Sequence, residues 1–134
     1  MRRSLLDTTF LVDADRGGDT LDEVIDDDDD VAVAAVTIAE LRVGVLVAEG
    51  KCRSDRLAFV EDVLATIAVV DYDLSVAVAH AELLVEVRRQ GRPRGAHDLI
   101  IAATAKASSR TVLTADQSAF DDLNGVSAKP HRQL

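Results

Sequence analysis

Four isolated acids, Asp7, Glu40, Asp98 and Asp116, each stand where an apolar run meets a polar junction. Asp7 ends the run Ser4-Leu5-Leu6, and Asp116 follows Thr111-Val112-Leu113 with Thr114 between them. Glu40 and Asp98 fall near the start of segments with helical spacing of apolar residues. Brought together, these carboxylates form an all-oxygen pocket without His or Cys, which selects Mg²⁺ or Mn²⁺ over Zn²⁺. Such a pocket suits metal-dependent phosphodiester hydrolysis, in which the ion activates a water and neutralises charge on phosphate oxygens. Each acid also has an ordinary structural role open to it. Asp98 begins a helix, where unpaired backbone N–H groups favour a negative cap. Glu40 follows Thr37 at the Thr-x-x-Glu spacing of a capping box. Asp116 or Thr114 can cap the segment behind them. Asp7 is the hardest to assign to capping, because Thr8 and Thr9 are available for that job. Spacing alone leaves the convergence of the four open.

The elements that must carry these acids alternate between strand and helix. Ser4-Leu5-Leu6 reads as a first buried strand, and Phe10, Leu11 and Ala14 as the inward face of the helix after it, stopped at Gly17-Gly18. Leu21, Val24 and Ile25 suggest a second short helix. Val31 to Val36 is an unbroken apolar run, the pattern of a parallel strand covered on both faces. Ile38, Leu41 and Val45, and then Leu57, Val60, Leu64 and Ile67, have helical spacing, and Ala68-Val69-Val70 reads as a third strand. Asp73 caps a long helix whose expected buried stripe is Leu74, Val78, Ala81 and Val85, ending before Gly91 and Pro93. The almost wholly apolar helix that opens near Asp98 follows. After the strand Thr111–Leu113 come a short helix with Phe120 and Leu123, and an edge strand from Val126. This order predicts one domain over residues 1–134, an α/β protein built as a three-layer α/β/α sandwich around a central, mostly parallel sheet.

Composition narrows the function classes. Aromatic residues make up 3% of 134 residues and Trp is absent, which argues against a single-strand binder that stacks bases. One cysteine, Cys52, excludes an intramolecular disulfide framework and a cysteine-rich zinc site. No stretch approaches membrane-spanning length, so a cytoplasmic protein without a membrane partner is expected. The net charge of −9 counts against nucleic-acid binding. However, five of the acids form the run Asp26 to Asp30, read as a solvated loop, and an ion held by carboxylates cancels local charge. Arg88, Arg89, Arg92 and Arg94 cluster just ahead of Asp98. They read either as a positive rim for RNA phosphates or as cations complementing a helix C-terminus beside a solvated loop.

Leu5-Leu6-Asp7-Thr8-Thr9, Thr37-Ile38-Ala39-Glu40-Leu41, the run from Ala96-His97-Asp98 to Ala105, and Leu113-Thr114-Ala115-Asp116 with Phe120 beyond resemble the PIN-domain family. In particular they resemble its VapC-type toxin ribonucleases. The four motifs occur in order and span essentially the whole chain. The resemblance implies an Mg²⁺-dependent endoribonuclease toxin, with Mn²⁺ as a substitute, leaving 5′-phosphate and 3′-hydroxyl ends. Asp7 and Asp98 are then the main metal ligands, with Asp116 completing the site directly or through water. Glu40 would position metal or water, Thr114 would be a supporting hydroxyl, and Thr8 a weaker candidate of that kind. His97 replaces a residue that is often small in the family and reads as flanking. The implied partners are RNA, a VapB-type antitoxin and a second copy of the chain, the antitoxin being sought on exposed parts of Ile38–Val47 and Leu57–Ile67.

Other classes fit less well. A phosphoacceptor signalling module needs adjacent acids after its first strand, and an Asp-nucleophile phosphatase needs Asp-x-Asp, whereas this chain has Asp7-Thr8-Thr9. A non-catalytic binding module that keeps an acidic α/β pocket is the alternative, opposed by acids at all four matched positions.

Overall fold

Short apolar runs without polar alternation need cover on both faces, and the chain supplies it with helices between parallel strands. The computed structural model describes residues 2–17, 25 and 28–130. In chain order the strands are β1 (Arg3–Leu6), β2 (Asp30–Ala34), β3 (Ala68–Val70), β4 (Thr111–Thr114) and β5 (Ala128–Pro130). The helices are α1 (Thr8–Arg16), α2 (Ala35–Val47), α3 (Gly50–Thr66), α4 (Leu74–Gln90) and α5 (Ala96–Ser108). A single 3₁₀ turn covers Gln117–Ala119. The sheet has the order β3-β2-β1-β4-β5, and every adjacent pair is parallel.

Alternation along the strands divides the core between two layers. Leu5, Ala32, Ala34 and Val112 face α4 and α5, joined by Phe120 and Leu123. Leu6 and Val33 face α1, α2 and α3 through Phe10, Leu11, Leu41, Val45, Val60 and Val63. The three-layer sandwich with its parallel sheet is therefore present. From β1 the chain order runs outward to β2 and β3 on one side and to β4 and β5 on the other. Ligands collect at such a switch point, outside the carboxyl ends of the strands.

Several local expectations are corrected. Strand β2 ends at Ala34, and Val36 already lies in α2. Thr37 is therefore inside the helix rather than at its cap, and the N-cap, Ala34, makes no side-chain bond. Asp7, not Thr8 or Thr9, caps α1 by accepting from the Phe10 N–H. On α4 the buried stripe is Val76, Ala79, Leu83 and Val87, while Leu74 and Val78 are 81% and 57% exposed and Ala81 and Val85 are also exposed. Both stripes have helical period, so periodicity cannot choose between them, and packing against α5 and the sheet decides. Leu64 is exposed as well, its place on α3 taken by Val63. Phe120 and Leu123 are buried, but in the 3₁₀ turn's cap and the turn after it rather than in a helix. The acidic run is not wholly solvated: Asp30 pairs with Arg3 and Arg110, and Asp29 with Arg2. Asp26 and Asp27 lie outside the described residues, as does most of the expected helix around Leu21, Val24 and Ile25.

Candidate active site

Strands β1 and β4 are neighbours, so the residues that follow them meet at one edge of the sheet. The Asp7 N–H donates to the Leu113 carbonyl at 3.1 Å and carries the pairing one residue beyond β1. Asp7 is 1% exposed, and its carboxylate receives three donors. The Phe10 N–H lies 2.9 Å from Oδ1, the Thr9 hydroxyl 2.8 Å from Oδ1, and the Thr114 hydroxyl 2.5 Å from Oδ2. A carboxylate offers about four lone-pair sites, so roughly one is left for a ligand. Two short relays extend from this point. The Ala115 N–H donates to Thr9 Oγ1, and the Asp116 N–H donates to Thr114 Oγ1. The backbone carrying Asp116 is thereby tied to the hydroxyls that hold Asp7.

Glu40 comes from the second turn of α2. Its Oε1 accepts from the Thr8 hydroxyl at 2.7 Å, and its Oε2 lies 3.4 Å from His97 Nδ1. No Thr37–Glu40 capping box forms, because the helix starts at Ala35. Thr8 is the residue that orients Glu40. Asp98 projects from the first turn of α5, whose N-cap is Gly95 and has no side chain to offer. Asp116 closes the group from beyond β4, its Oδ1 accepting from the Ser118 hydroxyl at 2.7 Å.

Electrostatics shows that the acids face one another. Burial raises the proton affinity of the Asp98 carboxyl, and the charges of Asp7, Glu40 and Asp116 add to the effect, against a smaller opposing influence of His97. Asp7 is raised chiefly by burial, partly offset by its three hydrogen bonds, with the charge of Asp116 raising it further. Among the described residues no Lys or Arg forms an ion pair with Asp7, Glu40, Asp98 or Asp116. A cleft of about 310 Å³ opens between them, lined by Asp7, Glu40 and Asp98 together with Thr8, Thr9, Asp13 and Arg16.

The donor set fits a hard divalent cation, being all oxygen and short of positive charge. Among the described residues no three His, Cys, Asp or Glu side chains stand, as they are, where they could hold a metal ion between them. Mg²⁺ is commonly held by one or two carboxylates, with waters filling the remaining positions.

Of the residues expected from sequence, Asp7, Glu40 and Asp98 line the cleft, while Thr114 bonds to Asp7 and Asp116 acts on Asp7 and Asp98 through its charge without lining it. Thr9, Asp13 and Arg16 were not anticipated there, although their spacing of four and three residues along α1 puts them on one helix face. Of the expected basic rim, Arg88 and Arg89 are exposed at the end of α4. Arg92 and Arg94 instead reach the carbonyls of Ser118, Ala119 and Asp121.

Comparison with known proteins agrees with this geometry. The PIN domain family matches residues 4–126. Ribonuclease VapC5 of Mycobacterium tuberculosis is 38% identical over 125 residues, covering 92% of this chain and 90% of that protein. The tRNA(fMet)-specific endonuclease VapC of Shigella flexneri is 32% identical over 97 residues, 72% of this chain and 71% of its own. Among solved structures, VapBC-5 of Mycobacterium tuberculosis, a member of the VapBC family of toxin–antitoxin systems, superposes with a TM-score of 0.79. That alignment is 34% identical and covers 97% of this chain and 99% of the other. With an acid-lined cleft at the β1–β4 junction and relatives matched along most of their length, this chain belongs to the PIN-domain family, among its VapC ribonucleases.

Proposed function

We propose that the chain acts as one domain, a metal-dependent endoribonuclease that hydrolyses RNA phosphodiester bonds as the toxin of a toxin–antitoxin pair. The observation that carries this reading is the convergence of Asp7, Glu40 and Asp98 on one cleft with Asp116 close by, Asp7 and Asp98 held at raised proton affinity and, among the described residues, no Lys or Arg paired to the group. Asp7, Asp98 and Asp116 would hold the cation, Mg²⁺ with Mn²⁺ as substitute. When bound, such an ion supplies water activation and charge neutralisation at the scissile phosphate. The chain's own part is orientation. Thr9 and Thr114 aim the Asp7 carboxylate, and Thr8 fixes Glu40, whose second oxygen stands beside His97 and can orient a water.

RNA requires positive charge near an acidic cleft. Arg16 on the cleft wall is placed to meet a phosphate next to the scissile one, and the exposed Arg88 and Arg89 extend the surface. A VapB-type antitoxin has exposed apolar side chains to cover at Val43, Leu46 and Val47 on α2 and Leu64 on α3. For a homodimer, α4 offers the exposed stripe Leu74, Val78 and Val85. No helix among the described residues is long and apolar enough to cross a membrane.

The test is RNA cleavage by purified protein free of antitoxin, with Mg²⁺ and with a chelator in its place. Cleavage that needs the cation supports the reading. Undiminished cleavage in chelator, or no cleavage of any RNA together with no binding of Mg²⁺, sinks it.

The turn before α5 gives a finer prediction. A Cβ built on Gly95 would lie 2.8 Å from Asp98 Oδ2, while the Gly95 backbone, at φ −59° and ψ 140°, suits any residue. Gly95→Ala must therefore move the Asp98 carboxylate without straining the chain. Cleavage is expected to fall by about tenfold or more, with a melting temperature close to wild type. Equal rates for the two proteins would show that the carboxylate has room to spare.

A further inference from the structure

The segment that links α4 to α5 grips the loop behind Asp116. Gln90 Nε2 donates to the Asp122 carbonyl at 2.7 Å, and Arg92 Nη2 to the Ser118 carbonyl at 3.2 Å. Arg94 forks across the turn, Nη1 to the Ala119 carbonyl at 3.2 Å and Nη2 to the Asp121 carbonyl at 2.6 Å. Arg94 is only half-buried, yet its Nε is fully covered and has no hydrogen-bond partner. Its hold on the loop is thus the two terminal nitrogens.

Two things depend on that grip. The loop begins at Asp116, whose carbonyl accepts from the Ala119 N–H and whose carboxylate accepts from the Ser118 hydroxyl. The gripping segment runs, after Gly95 and two further residues, directly into Asp98. From the inside the loop is anchored separately, by Phe120 and Leu123 in the core. A loop already fixed by two buried apolar anchors does not need Arg94 to stay docked. What Arg94 adds is a direct link between the start of α5 and the 117–121 backbone, and hence between Asp98 and Asp116.

We propose that Arg94 is a positioning residue, which sets the spacing between the Asp98 and Asp116 carboxylates across the cleft. This rests on the metal-dependent nuclease reading given above. A planar fork on two carbonyls fixes both distance and angle, which the single ammonium of Lys does not reproduce. No three of the described acids stand, as they are, where they could hold an ion between them, so their spacing is what a cation with its waters would sense. Direct hydrogen-bond partners of metal ligands typically govern metal affinity or activity by about 10–100-fold, and Arg94, acting through the backbone of Ala119 and Asp121, belongs at the low end of that range. The same guanidinium serves neither as a free phosphate contact nor as a ligand. Its loss is expected to change the metal response first.

The experiment compares wild type, Arg94→Ala, Arg94→Lys and, as a surface control, Arg53→Ala, an exposed position on α3. Three quantities are read: the melting temperature without metal, its rise on adding Mn²⁺, and the Mg²⁺ concentration for half-maximal RNA cleavage. Arg94→Ala should melt within a few degrees of wild type without metal, show a smaller Mn²⁺-induced rise, and need about tenfold more Mg²⁺. Arg94→Lys should fall between, and Arg53→Ala should match wild type in its metal response. A merely structural Arg94 would lower the metal-free melting temperature and leave the Mg²⁺ requirement and the Mn²⁺-induced rise unchanged, which overturns the proposal. If wild type binds Mn²⁺ but cleaves no RNA, and Arg94→Ala loses the Mn²⁺ response, the positioning role stands and the nuclease reading fails. If wild type neither responds to Mn²⁺ nor cleaves RNA, both fall.

Discussion

Asp98→Asn is expected to remove RNA cleavage, by at least about 100-fold, and yet to give a protein that melts at a higher temperature than wild type when metal is absent. The two effects have one cause. Burial and the charges of Asp7, Glu40 and Asp116 all work against an ionised Asp98. An amide of the same shape keeps the packing and removes the repulsion, and with it the ligand. The pH dependence follows from the direction of the shift. With Asp7 and Asp98 both raised above 3.8, the folded protein binds protons more tightly than the unfolded chain. The stability this contributes is complete below the unfolded value and is lost as pH rises through the folded values. Metal-free wild type should therefore gain stability on mild acidification, before other carboxylates protonate, and Asp98→Asn should gain less. At neutral pH, added Mg²⁺ or Mn²⁺ should stabilise wild type by binding the folded state and have a smaller effect on the variant. Thermal melts by circular dichroism at several pH values, with and without metal, check each point. Equal cleavage by wild type and variant would mean that Asp98 is not in the site or that another nuclease is present.

The second large effect separates two functions of one side chain. Asp7 is both the cap of α1 and the acceptor for the Thr9 and Thr114 hydroxyls. Asp7→Ala removes the cap, at a cost of about 1 kcal/mol. It also takes the acceptor from the buried Thr114 hydroxyl, which is left with Thr9 Oγ1 at 3.2 Å, at a further cost of about 1 kcal/mol. Asp7→Asn behaves differently. Its carbonyl oxygen can still accept from Phe10 and Thr9, and its amide can donate to Thr114 Oγ1 once that hydroxyl turns. Both variants should be inactive, but only Asp7→Ala should lose stability, with a melting temperature lower by roughly ten degrees. Denaturant unfolding of the two variants beside wild type measures the difference. Equal stability of Asp7→Ala and Asp7→Asn would show that the cap contributes nothing to the fold.

Much of this arrangement was legible in the order of residues. Apolar runs marked β1, β2, β3 and β4, the Ala-rich segment marked α5, and the acids at their ends marked the cleft. Pairing was harder to read than placement. Thr37 and Glu40 have the spacing of a local capping box, but Glu40 bonds to Thr8, from another element, and a tertiary contact takes precedence over the local one. Helix α4 carries two apolar stripes of equal period, and only packing distinguishes them. Arg92 and Arg94 read as surface charge because backbone carbonyls, their actual partners, leave no trace in a sequence. Thr9 was hidden for a similar reason: its importance comes from Thr114 and Ala115, over 100 residues away, which only the β1–β4 pairing brings near.

That pairing of the first strand with the fourth has a consequence for a cell that makes this protein. Asp7 leaves the ribosome 107 residues ahead of Thr114. A polypeptide halted before residue 111 carries Asp7, Glu40 and Asp98, but it has no strand to lay along that side of β1 and no hydroxyl to set against the Asp7 carboxylate. Copies halted there lack Asp116 and the Thr114 hydroxyl that orients Asp7. Assembly of the cleft thus waits until β4 has been made and has paired with β1.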